Sequence, residues 1–183
     1  MKSIPNLLLF CGSGRNIGKT ALLCSIIKHN KENYNIAAIK ISPNFHSAHS
    51  SDTIIEQGEG YNIYRENEIS SKDSSLFLQA GAKLSYYIET EDRFVEKTFT
   101  IVHKLIGNDH LIVCESGKLA MHVKPGLMIF LNSTKENKQV SAKKTNQHLA
   151  DLIVDVSDGR LEYYIEEINQ KIQVEKGLWK LKQ

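Results

Sequence analysis

Residues 13–20, Ser13-Gly14-Arg15-Asn16-Ile17-Gly18-Lys19-Thr20, combine small residues, a lysine and a hydroxyl at the spacing of a phosphate-binding loop. Such a loop curls the backbone around an anion, so that N–H groups and the positive end of the following helix face phosphate. In that chemistry Lys19 reaches the terminal phosphates and Thr20 gives its hydroxyl oxygen to Mg²⁺. The usual first position is glycine. Here it is Ser13, with Gly12 and Gly14 on either side, so one of those glycines is expected to absorb the strained turn.

An acidic partner is expected at the end of a neighbouring parallel strand, where sheets of this type place ligands. Glu115, directly after the apolar run Leu111-Ile112-Val113-Cys114, is the candidate for holding metal or orienting water. Weaker candidates follow the second strand: His46 and His49, three apart but without an evident third metal ligand, and Asp52. Thr134-Lys135-Glu136-Asn137 resembles a guanine-reading box, but Asn137 stands where an aspartate would take the guanine hydrogens. The expected ligand is GTP or ATP with Mg²⁺, and this box does not choose between the two.

The elements that must position these residues alternate between strand and helix. The apolar run 4–11 reads as a buried strand, and 18–29 as a helix with Leu22, Leu23, Ile26 and Ile27 on one face. Residues 35–42 read as a second strand. Strand, loop, helix, strand is the unit that calls for a right-handed crossover and parallel pairing. Residues 53–57 and 61–65 flank Gly58-Glu59-Gly60 as a hairpin. A helix is expected over 72–80, a strand over 83–89, and a helix over 91–106 with Phe94, Val95, Phe99, Val102 and Leu105 as its apolar stripe. Strands follow over 110–114, 126–131 and 152–156, then an amphipathic helix over 161–172 and an edge strand through Leu178 and Trp179. The expectation is a single domain over 1–183, a three-layer α/β/α P-loop NTPase fold with a mostly parallel central sheet.

Composition agrees with an ordinary globular chain: 183 residues, 41% hydrophobic, 24% charged. A formal charge of +2 is too small to argue for nucleic acid or an anionic membrane surface. Cys11, Cys24 and Cys114 have no metal-ligand spacing, and an odd number argues against a disulfide framework; all three sit in apolar runs. The apolar stretch after Met1-Lys2 is too short for a signal peptide, and no run is long enough to span a bilayer. A cytoplasmic location without membrane attachment is expected.

Taken together, three motifs resemble the MobB family, GTP-binding adaptors of molybdopterin-guanine dinucleotide biosynthesis. They are Ile39-Lys40-Ile41-Ser42 with His46, then Lys72-Asp73-Ser74 with Ala80-Gly81-Ala82, then Val113-Cys114-Glu115-Ser116-Gly117, and their order and spacing agree over roughly the first 120 residues. Departures are Ser13 in the loop, no histidine directly after Lys40, and Ser116 between Glu115 and Gly117. The resemblance implies a slow Mg-dependent GTPase or ATPase, a protein partner in cofactor biosynthesis, a homodimer, and Lys72 and Asp73 near the nucleotide or the partner's substrate. An ATP-dependent small-molecule kinase or ligase, and a non-catalytic nucleotide-regulated adaptor, are the alternatives.

Overall fold

The computed structural model describes residues 1–45, 53–68, 73–133 and 143–182. The buried run expected at the start forms β1 (Lys2–Gly12), and residues 13–18 lead directly into α1 (Lys19–Asn30). There follow β2 (Ile36–Ser42), the hairpin β3 (Thr53–Gly58) and β4 (Tyr61–Arg65), α2 (Asp73–Ala80), β5 (Leu84–Thr90) and α3 (Val95–Ile106). The chain continues through β6 (Leu111–Ser116), β7 (Val123–Asn132), β8 (Leu152–Asp155), α4 (Leu161–Lys171), β9 (Ile172–Glu175) and β10 (Leu178–Leu181).

Among the described residues eight strands form one sheet in the order β3-β4-β5-β2-β6-β1-β7-β8. From β5 to β8 every neighbouring pair is parallel, and only the β3–β4 hairpin adds antiparallel strands at the β5 edge. Period-two alternation along β1 feeds two cores. Leu7, Leu9 and Cys11 join α3 through Val95, Phe99, Val102 and Ile106 on one face. Leu8 and Phe10 join Leu22, Leu23, Ile26 and Ile27 of α1, Phe77 of α2 and Ile168 of α4 on the other. Helices thus cover both faces of a mostly parallel α/β sheet. Along α3 the buried stripe closes on Ile106, while Leu105 is exposed, so the expected stripe is off by one residue at its end. Among the described residues no helix is long and apolar enough to cross a membrane.

Three further differences from expectation have local causes. The strand expected over 126–131 begins at Val123, so Pro125 lies inside β7 as Pro5, within the strand expected over 4–11, lies inside β1. They fit because the ladder shifts register there, Ile4 opposite Pro125 but Leu8 opposite Leu127. At this shift a Cβ on Gly126 would lie 1.9 Å from the Pro5 carbonyl oxygen, so only glycine lets the two backbones approach. The strand expected to stop before Glu115 instead runs through Glu115 to Ser116. Finally, the tail does not extend the main sheet. Ile172 opens β9, which pairs with β10 in a separate antiparallel hairpin. Trp179 of that hairpin is buried among the α1 and α4 side chains and donates its indole N–H to the Ile112 carbonyl oxygen (3.2 Å).

Candidate functional site

β1 lies between β6 and β7, so its carboxyl end is flanked by the ends of two parallel strands. Strands β2 and β5 were added on one side of it and β7 and β8 on the other. The winding therefore reverses at β1, the position at which open parallel sheets leave a crevice for ligands.

The loop at this strand end is held by side chains on both flanks. Ser13 donates its backbone N–H to the Leu131 carbonyl oxygen (2.9 Å). Its hydroxyl accepts from Ser133 N–H (2.9 Å) and donates to the Ser133 carbonyl oxygen (3.3 Å). A glycine could make only the backbone bond. Serine at this position therefore clamps the loop onto the end of β7. Ile17 is buried in the α1-side core and anchors the other limb.

The expectation that Gly12 or Gly14 takes the strained turn is not met; positive φ falls on Asn16 (56°) and Gly18 (97°). Asparagine tolerates this region better than other L-residues, and glycine enters it without penalty. Gly12 is needed for another reason. A Cβ there would meet Ile17 Cδ1 at 2.7 Å and the Leu131 carbonyl oxygen at 2.9 Å. Arg15 reaches outward, donating from Nη2 to Asn44 Oδ1 just beyond β2 (3.0 Å).

α1 begins at Lys19 with no side-chain cap and no acidic residue in its first turn. Its first N–H groups have no intrahelical partner, and the positive end of the helix dipole carries a lysine where an acid would be favoured. Lys19 folds back, donating from Nζ to the Gly14 carbonyl oxygen (2.6 Å) and lying 3.9 Å from Glu115 Oε1.

Glu115 is the convergence point. Thr20 Oγ1 donates to its Oε2 (2.8 Å), and Lys40 Nζ lies 3.5 Å from the same oxygen. The side chains of Lys19, Lys40 and Glu115 are 13%, 17% and 12% exposed, so the charges interact with little solvent between them. The turn after Glu115 is held rigidly. The Ser116 hydroxyl accepts from the N–H groups of Lys118 (3.2 Å) and Leu119 (3.1 Å), and Asn146 Nδ2 donates to the Gly117 carbonyl oxygen (2.8 Å). Ser116, which separates Glu115 from Gly117, is thus the residue that turns the chain. From β1, the Cys11 thiol donates to the Ser116 carbonyl oxygen (2.9 Å). Burial pushes that thiol up to about 12, with Lys19 opposing the shift and Glu115 adding to it.

Comparison with protein-family models, with curated proteins and with solved structures gave no match to this chain.

The structure therefore brings together Ser13, Gly14, Gly18, Lys19, Thr20 and Glu115, with Arg15 directed to the outer side of the loop, Asn16 in its strained turn and Ile17 in the core. His46, His49, Asp52, Lys72 and the segment 134–137 lie outside the described residues, as does the Asp73 side chain. Lys40, quoted in the motif Ile39-Lys40-Ile41-Ser42 but given no role there, is also brought to Glu115. Its signal was present: it is the single charge within the otherwise apolar or small β2.

Among the described residues no group of three or more histidine, cysteine, aspartate or glutamate side chains could hold a metal by itself. The pair formed by Thr20 and Glu115 fits a magnesium ion in another way. Both offer hard oxygens, and Mg²⁺ is commonly held by one or two protein oxygens together with phosphates and water. Because the hydroxyl proton of Thr20 is directed at Glu115, its lone pairs are left for a cation.

Proposed function

We propose that the chain is a P-loop nucleoside triphosphate-binding protein, a slow Mg-dependent GTPase or ATPase. The observation that carries this reading is the Thr20–Glu115 hydrogen bond, which joins the first turn of the helix after the loop to the strand beside β1. On this reading the sheet and its helices are a P-loop NTPase fold, and residues 13–20 are the phosphate loop.

Each residue then has a physical task. Backbone N–H groups of the loop and the first turn of α1 receive phosphate oxygens. Lys19 leaves the Gly14 carbonyl oxygen and neutralises the terminal phosphates. Thr20 and Glu115 hold Mg²⁺, Thr20 through its oxygen and Glu115 directly or through water. Bound Mg²⁺ would supply charge neutralisation at the phosphates. Glu115 also lies where it can orient an attacking water. Slow turnover is expected where no arginine finger engages the phosphates, since such a group accelerates hydrolysis by about 10³–10⁵; among the described residues Arg15 donates to Asn44.

The finer proposal is a role similar to the molybdopterin-guanine dinucleotide adaptor, with a protein partner and a homodimer. It is supported by the position of the resembling motifs: Ala80-Gly81-Ala82 at the end of α2 and Glu115-Ser116-Gly117 at the end of β6. Phosphate release from GTP and ATP, with and without Mg²⁺, tests the activity. Low turnover that needs Mg²⁺ and vanishes in Lys19→Ala is expected. Turnover indifferent to both Mg²⁺ and Lys19 would overturn the assignment.

A further inference from the structure

We infer that Asn146 is a positioning residue for the magnesium end of the site, holding the turn that follows Glu115. The inference rests on the reading of residues 13–20 and Glu115 as a Mg–triphosphate site. It adds a residue that no motif contains.

The connection from β7 to β8 reaches both flanks of β1. It begins at Ser133, whose N–H and carbonyl oxygen both bond to the Ser13 hydroxyl. Before β8 it forms a 3₁₀ turn, Lys143–Leu149. From this turn Asn146 Nδ2 donates to the Gly117 carbonyl oxygen (2.8 Å), just beyond the end of β6. Because β1 lies between β6 and β7, the two holds stand on opposite sides of the strand that leads into the loop. One connection therefore braces the phosphate loop at one point and the acidic turn at another.

The acidic turn needs such a brace because Glu115 sits on the last rungs of its ladders. On the β1 side the pair Phe10–Glu115 is the final one. On the β2 side Lys40–Glu115 is followed only by Ile41–Ser116. Terminal pairings are the first to open, so a hold placed beyond them limits the motion of the residue they carry. The other holds on the turn are local or weak. The Ser116 hydroxyl bonds to Lys118 and Leu119 N–H and moves with the turn. The Cys11 thiol that bonds to the Ser116 carbonyl oxygen is a weak donor.

Asn146 has a firm seat for this task. It is 2% exposed, and Leu149 and Ala150 beside it pack against the core that contains Cys11, Cys114 and Leu119. Its Oδ1 is buried and has no hydrogen-bond partner among the described residues. An amide kept for the fold alone would have both ends paired, since an unpartnered buried acceptor costs stability. An amide kept to hold one carbonyl needs only its donor.

The test compares the full chain with Asn146→Leu, which keeps the approximate shape and removes the unpartnered acceptor. Gly117 is exposed, so its carbonyl can return to solvent. Binding of non-hydrolysable ATP and GTP analogues is measured in Mg²⁺ and in excess chelator. The Mg²⁺-dependent gain in affinity should fall about tenfold or more, as when a partner orienting a metal-binding carboxylate is lost. Affinity in chelator and the urea midpoint should stay near wild type. His148→Ala, exposed on the same turn, should leave the Mg²⁺ gain unchanged. In asparagine-labelled wild type, the Asn146 side-chain amide signal should shift in NMR when Mg²⁺ is added to the nucleotide complex. That readout stands whether or not the variant folds. The role of Asn146 alone is overturned by an undiminished Mg²⁺ gain in folded Asn146→Leu, by an equal loss in both conditions, by an equal loss in His148→Ala, or by an unmoved amide signal. Absence of nucleotide binding, or of any Mg²⁺ gain, appears in wild type before a variant is made and overturns both readings.

Discussion

Thr20 and Glu115 are 95 residues apart in the chain and 2.8 Å apart in the fold, hydroxyl to carboxylate. The bond crosses from the first turn of α1 to the strand hydrogen-bonded beside β1, so the loop and the acidic partner are held in one geometry. It is a hydrogen bond to a charged group in a largely water-excluded site, where such bonds contribute most.

Thr20→Val removes the hydroxyl with little change in volume. The expected cost is about 1–3 kcal/mol in urea denaturation, because Glu115 loses a donor while Lys19 and Lys40 remain. Glu115→Gln keeps an acceptor but removes the charge between two lysines, and should also destabilise. Both variants should lose the part of nucleotide affinity that depends on Mg²⁺. A wild-type Mg²⁺ response in either variant would contradict the assignment of that pair.

Ser13 predicts a different pattern. Ser13→Ala leaves the Ser133 N–H without its hydroxyl acceptor and should cost about 1–3 kcal/mol. Ser13→Gly should behave similarly, although glycine is the commoner residue in such loops, because here the serine clamps β7. Gly12→Ala should be at least as damaging, since its Cβ would press on the Leu131 backbone oxygen and on Ile17. Equilibrium unfolding of the three variants decides the order. A stabilised Ser13→Gly would show that the clamp contributes nothing.

The cysteines give a pH prediction. Burial raises Cys11 from 9.0 to about 12 and raises Cys114 in the same direction. A thiol whose folded pKa lies above its unfolded value contributes stability that is complete below the unfolded pKa. That contribution is lost as pH rises from about 9 towards about 12, because the unfolded chain releases the proton first. Stability should therefore fall over this window, and Cys11→Ala should show a shallower fall than wild type. In the native protein at mildly alkaline pH, a thiol reagent should modify the partly exposed Cys24 ahead of Cys11 and Cys114. Modification of Cys11 at the rate of Cys24 would contradict the burial argument.

Much of this arrangement was legible because it follows from local chemistry. A buried apolar run, a glycine-containing loop and an apolar helical face are enough to place β1, the loop and α1. The glycine turn Gly58-Glu59-Gly60 likewise reveals the β3–β4 hairpin. What was not legible depends on partners distant in sequence. β7 begins ahead of Pro125, where the β1–β7 ladder shifts register between Ile4 and Leu8. Trp179 leaves the sheet edge because the core over β6 has room and an acceptor for its indole. Positive φ falls on Asn16 and Gly18 rather than on Gly12, which is committed to close packing beside Leu131 and Ile17. Lys40 stands out in the sequence as the single charge of β2, but its closeness to Glu115 appears only when β2 is placed beside β6.

The most direct test of the central claim is calorimetric titration of the full chain with ATP and with GTP, each in Mg²⁺ and in excess chelator. The account predicts saturable binding of at least one nucleotide, weakened when Mg²⁺ is withdrawn and lost in Lys19→Ala. Absence of binding to either nucleotide in the presence of Mg²⁺, by folded wild-type protein, would contradict it.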